Sequence, residues 1–326
     1  MIGKRSVRWA PAMLITFMAA GAMPSSAQVP PRFYWKSLVG GRAVPVIGMS
    51  MSGNANPIDP AHTVSPEASF ESTVVIAGYA HTFTLFDRSA MAAVLVPMGR
   101  LSGGASIFGR TFGEEASGYG DPLLEIDINL IGPEPIRDIP ALVRYEPGFS
   151  LDVLVDLTIP IGEYDNEKSL NLGQNRWYGR VGAPIVWQLG PWVPGRRTTL
   201  EFLPSLWLYG DNDDFVGHTL STEPMFQIEG HLTRDLVEQL WASLDVTWVT
   251  GGKASLDGVE GDPLDNIALG FTLGYQINDN LQFTAGYMAT VNDSEPTDLR
   301  IDGFRISLVF GWHPLVEGMK RLEGGP

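Results

Sequence analysis

No cysteine occurs among the 326 residues. Disulfide frameworks, thiol catalysis and thiolate metal sites are therefore excluded. Basic residues are scarce: 22 Lys and Arg stand against 37 Asp and Glu, a formal charge of −15. A nucleic-acid partner needs a basic footprint, so this balance argues against one. Beyond the N-terminal stretch there is no apolar run long enough for a membrane helix. His62, His81, His218, His231 and His313 are scattered without metal-ligand spacing. Neither a Gly-x-Ser-x-Gly elbow nor a glycine-rich phosphate loop occurs. No cofactor is called for, and no enzyme activity is expected.

What is present begins with an export signal. Lys4, Arg5 and Arg8 precede an apolar stretch from Ala10 to Met23 that is too short to span a bilayer. Ser25-Ser26-Ala27 offers small residues for cleavage. Residues 1–27 are thus expected to be a signal peptide, 28–42 an N-terminal periplasmic segment, 43–313 one β-domain and 314–326 a polar tail. Losing the leader removes three basic residues and no acidic one, which deepens the acid excess.

The domain reads as about twelve strands, near 43–54, 72–86, 89–103, 118–131, 148–161, 174–189, 198–209, 220–232, 239–250, 264–277, 280–291 and 300–312. In one, Leu151, Val153, Val155, Leu157 and Ile159 share a face opposite Asp152, Asp156 and Thr158. In another, Ile267, Leu269, Phe271, Leu273 and Tyr275 oppose Gly270, Thr272 and Gly274. A period of two places such sets on opposite faces. A soluble sandwich would bury the apolar face, whereas a membrane barrel turns it to lipid. Three features favour the membrane. The apolar stripes are long. Trp187, Trp192, Trp207, Tyr209, Trp241, Trp248, Tyr287 and Trp312 sit near strand ends, as interfacial girdles require. Connections alternate long and short, as outer loops and inner turns do; 132–147 is the exception, expected to be a periplasmic lid or short helix. The fold class is therefore all-β, an antiparallel up-and-down transmembrane β-barrel of about twelve strands in the outer membrane. Only a closed barrel leaves no sheet edge in lipid. The outer loops are acidic, which serves either solubility or the sharing of divalent cations with lipopolysaccharide phosphates.

Several short motifs run through the chain. They include Gly118-Tyr119-Gly120-Asp121-Pro122, Pro160-Ile161-Gly162-Glu163-Tyr164-Asp165 and Asn171-Leu172-Gly173-Gln174-Asn175-Arg176-Trp177. His81-Thr82-Phe83 up to Asp87-Arg88-Ser89-Ala90, Pro97-Met98-Gly99, Asn212-Asp213-Asp214-Phe215 and Gly251-Gly252 complete the set. In order and spacing the chain resembles the outer-membrane transporter family labelled for a MetA pathway of phenol degradation. Ile161 stands where that family has Thr, and the polar tail departs from the aromatic ending common in barrels. The resemblance implies an outer-membrane barrel linked by label to the uptake of aromatic or other hydrophobic compounds.

Strand parity puts Glu125, Asp127, Asp152, Asp156, Arg176, Tyr178, Arg180, Glu201, Glu223, Gln227, Glu229, Asp245 and Arg305 on the lumen side. Folding about the 162–173 loop brings Asp156 near Arg180. A ladder of acids against arginines either plugs a narrow lumen or sets the width and field of a pore. Tyr164, Asn171, Gly173, Asn175 and Trp177 mark the loop region where a constriction is expected, above Arg176 and Arg180. The expected partners are a small-molecule solute and outer-membrane lipid with lipopolysaccharide; a monomer is expected. The alternative to a channel is a plugged structural or surface-interaction barrel without transport.

Overall fold

Twelve antiparallel staves close into one β-barrel. The computed structural model describes residues 29–56, 58, 59, 61, 68–107, 110–292 and 299–323, so the expected signal peptide lies outside the described residues. The strands are β1 (Arg42–Gly53), β2 (Ala68–Leu85), β3 (Arg88–Ile107), β4 (Arg110–Tyr119), β5 (Leu123–Ile131), β6 (Phe149–Thr158), β7 (Tyr178–Gly182), β8 (Ile185–Gln188) and β9 (Thr198–Tyr209). They continue with β10 (Asn212–Phe215), β11 (His218–Thr222), β12 (Met225–Asp235), β13 (Leu240–Gly251), β14 (Ala254–Leu256), β15 (Val259–Glu260), β16 (Leu264–Asn278), β17 (Leu281–Thr290) and β18 (Ile301–Trp312).

Each stave pairs with its neighbour in sequence and the ring closes, with β4 paired on its β3 side. β1 pairs β18 from Arg42–Trp312 to Gly53–Ile301, and β9 pairs β12. Two staves are interrupted. β4 and β5 both pair β3, while β7 and β8 both bridge β6 and β9. The interruptions fall at Gly120-Asp121-Pro122 and Ala183-Pro184, where a proline has no N–H to give the ladder. The β2–β3 turn has positive φ at Phe86 (51°) and Asp87 (58°), the two-residue geometry that matches strand twist. Two long outer loops are themselves partly strand: β10, β11, β14 and β15 form a four-stranded sheet outside the barrel wall.

The polarity of the two faces decides between the soluble and membrane readings. Leu244 is 67% exposed and Phe304 64% exposed on the outside, while Asp152 and Glu201 are each 1% exposed within. A soluble barrel would show the reverse. Among the described residues no helix is long and apolar enough to cross a membrane; the strands do so. The wall is an outer-membrane barrel.

The girdle assignment needs revision. Trp207 and Trp241 are 2% and 5% exposed because each shares parity with lumen residues, Ser205 in one case and Ser243 in the other. Trp192 lies in the β8–β9 connection and packs on Trp35 and Tyr145. Tyr209 packs against Tyr178. Trp187 is exposed, consistent with a girdle place.

The inner end carries two helices, α1 (Ile139–Val143) and α2 (Pro314–Glu323). Asp138 caps α1, accepting from the Ala141 N–H at 2.7 Å. The C-terminal stretch expected as a polar tail is thus helical as far as Glu323. Val316 buries beside Leu38, Ile136 and Tyr145 because a one-sided helix must cover its apolar stripe. Residues 29–39 also depart from expectation. They run inside the barrel rather than in the periplasm, since Phe33, Tyr34 and Trp35 bury against the lumen core.

Candidate functional site

The lumen holds three layers. The innermost is the N-terminal segment itself. The Val29 N–H donates to Glu229 and the Arg32 N–H to Glu201, both at 2.7 Å. The Trp35 indole N–H reaches the other oxygen of Glu201 at 2.8 Å. Arg32 pairs with Asp235 at 2.6 Å, and its guanidinium lies 4.3 Å from the Trp35 ring centre and 4.5 Å from that of Trp241. Lys36 pairs with Asp152 and, at 3.5 Å, with Asp127. The segment is therefore a plug: aromatic bodies fill the bore while its cations and N–H groups satisfy wall carboxylates. At its base Leu38 bridges Ile136 in the connection that carries α1.

The middle layer is the expected ladder. The β6–β7 register sets Asp156 opposite Arg180. The Arg180 guanidinium bonds Asp156 at 2.7 Å and Glu229 at 2.9 Å, and lies 5.0 Å from the Trp207 ring. Glu125 stands directly across from Asp156 on β5, and neither of its carboxylate oxygens has a hydrogen-bond partner among the described residues. Nearby, Asp245 accepts from His231 at 2.8 Å, Ser243 at 2.5 Å and Thr272 at 2.6 Å. This resembles a triad only in composition. A catalytic serine must bond the histidine, whereas here the aspartate sits at the centre. Arg305 reaches Thr272 at 3.5 Å on the β16–β18 side.

The outer layer is a knot of loops. Arg176 lies in the loop before β7, 2% exposed, bonded to Asp59 at 3.1 Å and Thr222 at 2.8 Å and 5.3 Å from the Tyr209 ring. Asp59 belongs to the first outer loop, where Ala55, Ile58 and Ala61 are buried as well. The motifs read separately in sequence meet here. The Asp121 carboxylate accepts the N–H groups of Gly162 and Gln174 at 2.8 and 2.7 Å. A Cβ on Gly162 would lie 2.5 Å from the Gly120 carbonyl carbon, and one on Gly173 would lie 2.8 Å from that of Gly162. Only glycine permits this approach. Asn171 holds the loop by accepting the Asp165 N–H at 2.8 Å. Tyr164, Asn175 and Gln174 all converge on Asn212 at the start of β10. Trp177 is half exposed at the rim and takes no part in the bore.

The placement of the expected residues is therefore mixed. Asp152, Asp156, Arg180, Glu201, Glu229 and Asp245 meet inside, with Tyr178 above them and Arg305 to one side. Glu223 does not join them: it lies exposed in the turn between β11 and β12, 3.7 Å from Lys253, because the strand is interrupted there. The sequence reading missed Arg32, Trp35, Lys36, Asp59, Asp121 and Asp235. The run Arg32-Phe33-Tyr34-Trp35-Lys36 carried a signal, being basic and aromatic just ahead of the first strand of an acidic chain. Among the described residues no group of His, Asp and Glu is arranged to hold a metal ion. The free space left against β16–β18, lined by Met49, Met288, Gly286, Gly303 and Arg305, admits a water or two rather than a ring. The bore is closed.

The family model described as "Putative MetA-pathway of phenol degradation" matches residues 52–308. Among solved structures, an outer membrane channel from Pseudomonas putida F1 superposes with a TM-score of 0.68 at 20% identity, covering 87% of this chain and 100% of that one. The translocator domain of the autotransporter NalP from Neisseria meningitidis gives 0.48 at 11% identity, covering 83% and 88%. A Pseudomonas aeruginosa FadL homologue gives 0.39 at 9%, covering 84% and 89%. No curated protein matches the chain.

Proposed function

The chain belongs to the family described as "Putative MetA-pathway of phenol degradation", and from that premise we propose that it is an outer-membrane channel for passive uptake of small hydrophobic or aromatic compounds. It acts as a monomer among outer-membrane lipid and lipopolysaccharide, without catalysis. The observation that carries this reading is the manner of closure. The bore is stopped by residues 29–39, which lie outside the strands of the wall and are held by ion pairs, hydrogen bonds and the packing of Val29, Phe33, Tyr34 and Trp35. A terminal segment can withdraw without unfolding the wall. Aromatic rings on the plug and wall (Trp35, Trp192, Trp241) offer stacking surfaces to an aromatic solute.

One observation favours the second reading, a structural barrel without transport. Arg180, on β7, ties β6 to β12 along four consecutive staves of the wall through Asp156 and Glu229, as a strut would. Liposomes carrying the refolded chain from Gln28 onward separate the two. A channel admits a neutral monoaromatic compound faster than a small sugar. A folded protein that admits neither supports the strut reading and sinks the channel.

A further inference from the structure

Arg32 to Lys36 carries two cations and three aromatic rings, and the wall answers both cations and Trp35. Asp152 and Asp127 take Lys36, Asp235 takes Arg32, and Glu201 takes two N–H donors of the segment. Trp192 packs at a tilt on Trp35, ring centres 4.6 Å apart, and Trp241 faces the Arg32 guanidinium. Asp127, Asp152 and Glu201 show no cation from the wall itself among the described contacts; their positive partners and N–H donors come mainly from the plug. One oxygen of Asp127 still lacks a hydrogen bond among the described residues although the residue is 4% exposed. Withdrawing the plug would therefore uncover Asp127, Asp152 and Glu201 with no wall cation bonded to them, while Arg197 stays on Asp235 at 2.8 Å and 5.6 Å from the Trp192 ring.

We propose that this vacated site binds small organic cations carrying an aromatic ring, and that the plug is a resident mimic of such a solute. The inference rests on the channel function proposed above and narrows its solutes: aromatic ammonium compounds and neutral aromatics pass, and aromatic carboxylates are turned back. Carboxylates lining a narrow bore favour cations by supplying the field that replaces their hydration. Tryptophan faces add a preference for cations with a ring attached.

Two experiments test it. Planar-bilayer recordings of the Arg32→Ala/Lys36→Ala variant under a potassium chloride gradient should give a reversal potential displaced toward that of potassium, a several-fold preference over chloride. Asp127→Asn and Asp152→Asn together should reduce it. Conductance with no preference, or with a preference for chloride, overturns the proposal while leaving the channel standing. A folded variant with no conductance overturns both. The second experiment needs no loosened plug. In the otherwise cysteine-free chain, Phe33→Cys reports withdrawal by maleimide labelling. Tyramine should raise the labelling rate several-fold and phenylacetate should not; equal effects, or none from tyramine, overturn the proposal.

Discussion

Replacing Arg180 by alanine removes the one guanidinium bonded to both Asp156 and Glu229. The side chain of Arg180 is 2% exposed and its two partners 0% and 1%, with Glu125 directly opposite Asp156. Solvent cannot screen the carboxylates left behind as it would at a surface. Breaking a buried ion pair by deleting one partner costs about 3–5 kcal/mol, because the other charge stays desolvated. With a denaturant dependence of ~2–3 kcal/mol per molar, the urea midpoint of unfolding should fall by roughly 1–2.5 M. Replacing all three groups by neutral ones of similar shape (Arg180→Met, Asp156→Asn, Glu229→Gln) should recover most of that loss. The amide introduced by Glu229→Gln would still offer an oxygen to the Val29 N–H. Tryptophan fluorescence in urea, with heat-modifiable gel mobility as the check for a closed barrel, reads the effect. A single variant within about 1 kcal/mol of the parent, or a triple variant no better than the single, would refute the argument that these charges are held apart from water.

Other consequences follow from the outer loops. Gly162→Ala forces a Cβ to 2.5 Å from backbone and should cost about 1–3 kcal/mol, loosening the knot so that proteases cut between 162 and 177. Asp121→Ala strands the Gly162 and Gln174 N–H groups at about 1–3 kcal/mol each and should give the same cleavage pattern. Asp257 is held below the ordinary carboxylate range, first by the Thr219 N–H and then by His218. A lowered folded pKa stabilises the outer sheet above the unfolded aspartate value of about 3.9 and ceases to do so as the pH falls through the folded value. Acid titration of the Thr219 amide by NMR should show that transition below the ordinary range, and Asp257→Asn should abolish it.

How much of this was legible depended on sequence distance. The strand at 198–209 was placed to the residue, because Leu200, Phe202, Leu206 and Leu208 alternate with Thr199, Glu201 and Ser205, although Leu203 and Trp207 share the lumen parity. Parity likewise gave the Asp156–Arg180 pair, since the two strands are joined by one loop. Glu223 failed because an interruption between β11 and β12 resets parity, and single-residue breaks leave little trace in an alternation pattern. The aromatic girdle was half misread: Trp207 and Trp241 sit at strand ends yet on the lumen parity, and position along a strand was taken over face. The plug showed in the sequence only as a basic, aromatic run, Arg32 to Lys36, without its place in the fold. Its anchors lie from 91 residues away, as with Lys36 and Asp127, to 203, as with Arg32 and Asp235, and no local periodicity encodes partners so distant. The Asp121 knot was half visible, as motifs without their mutual contact.

The central claim is that the N-terminal segment governs passage through the bore. Its most direct test compares influx of a neutral monoaromatic compound into liposomes carrying the parent chain or the Arg32→Ala/Lys36→Ala variant, each shown to be folded by heat-modifiable mobility. Those two side chains hold the plug to Asp235, Asp127 and Asp152. A several-fold faster influx through the variant is expected; equal rates in the two folded proteins would contradict the claim.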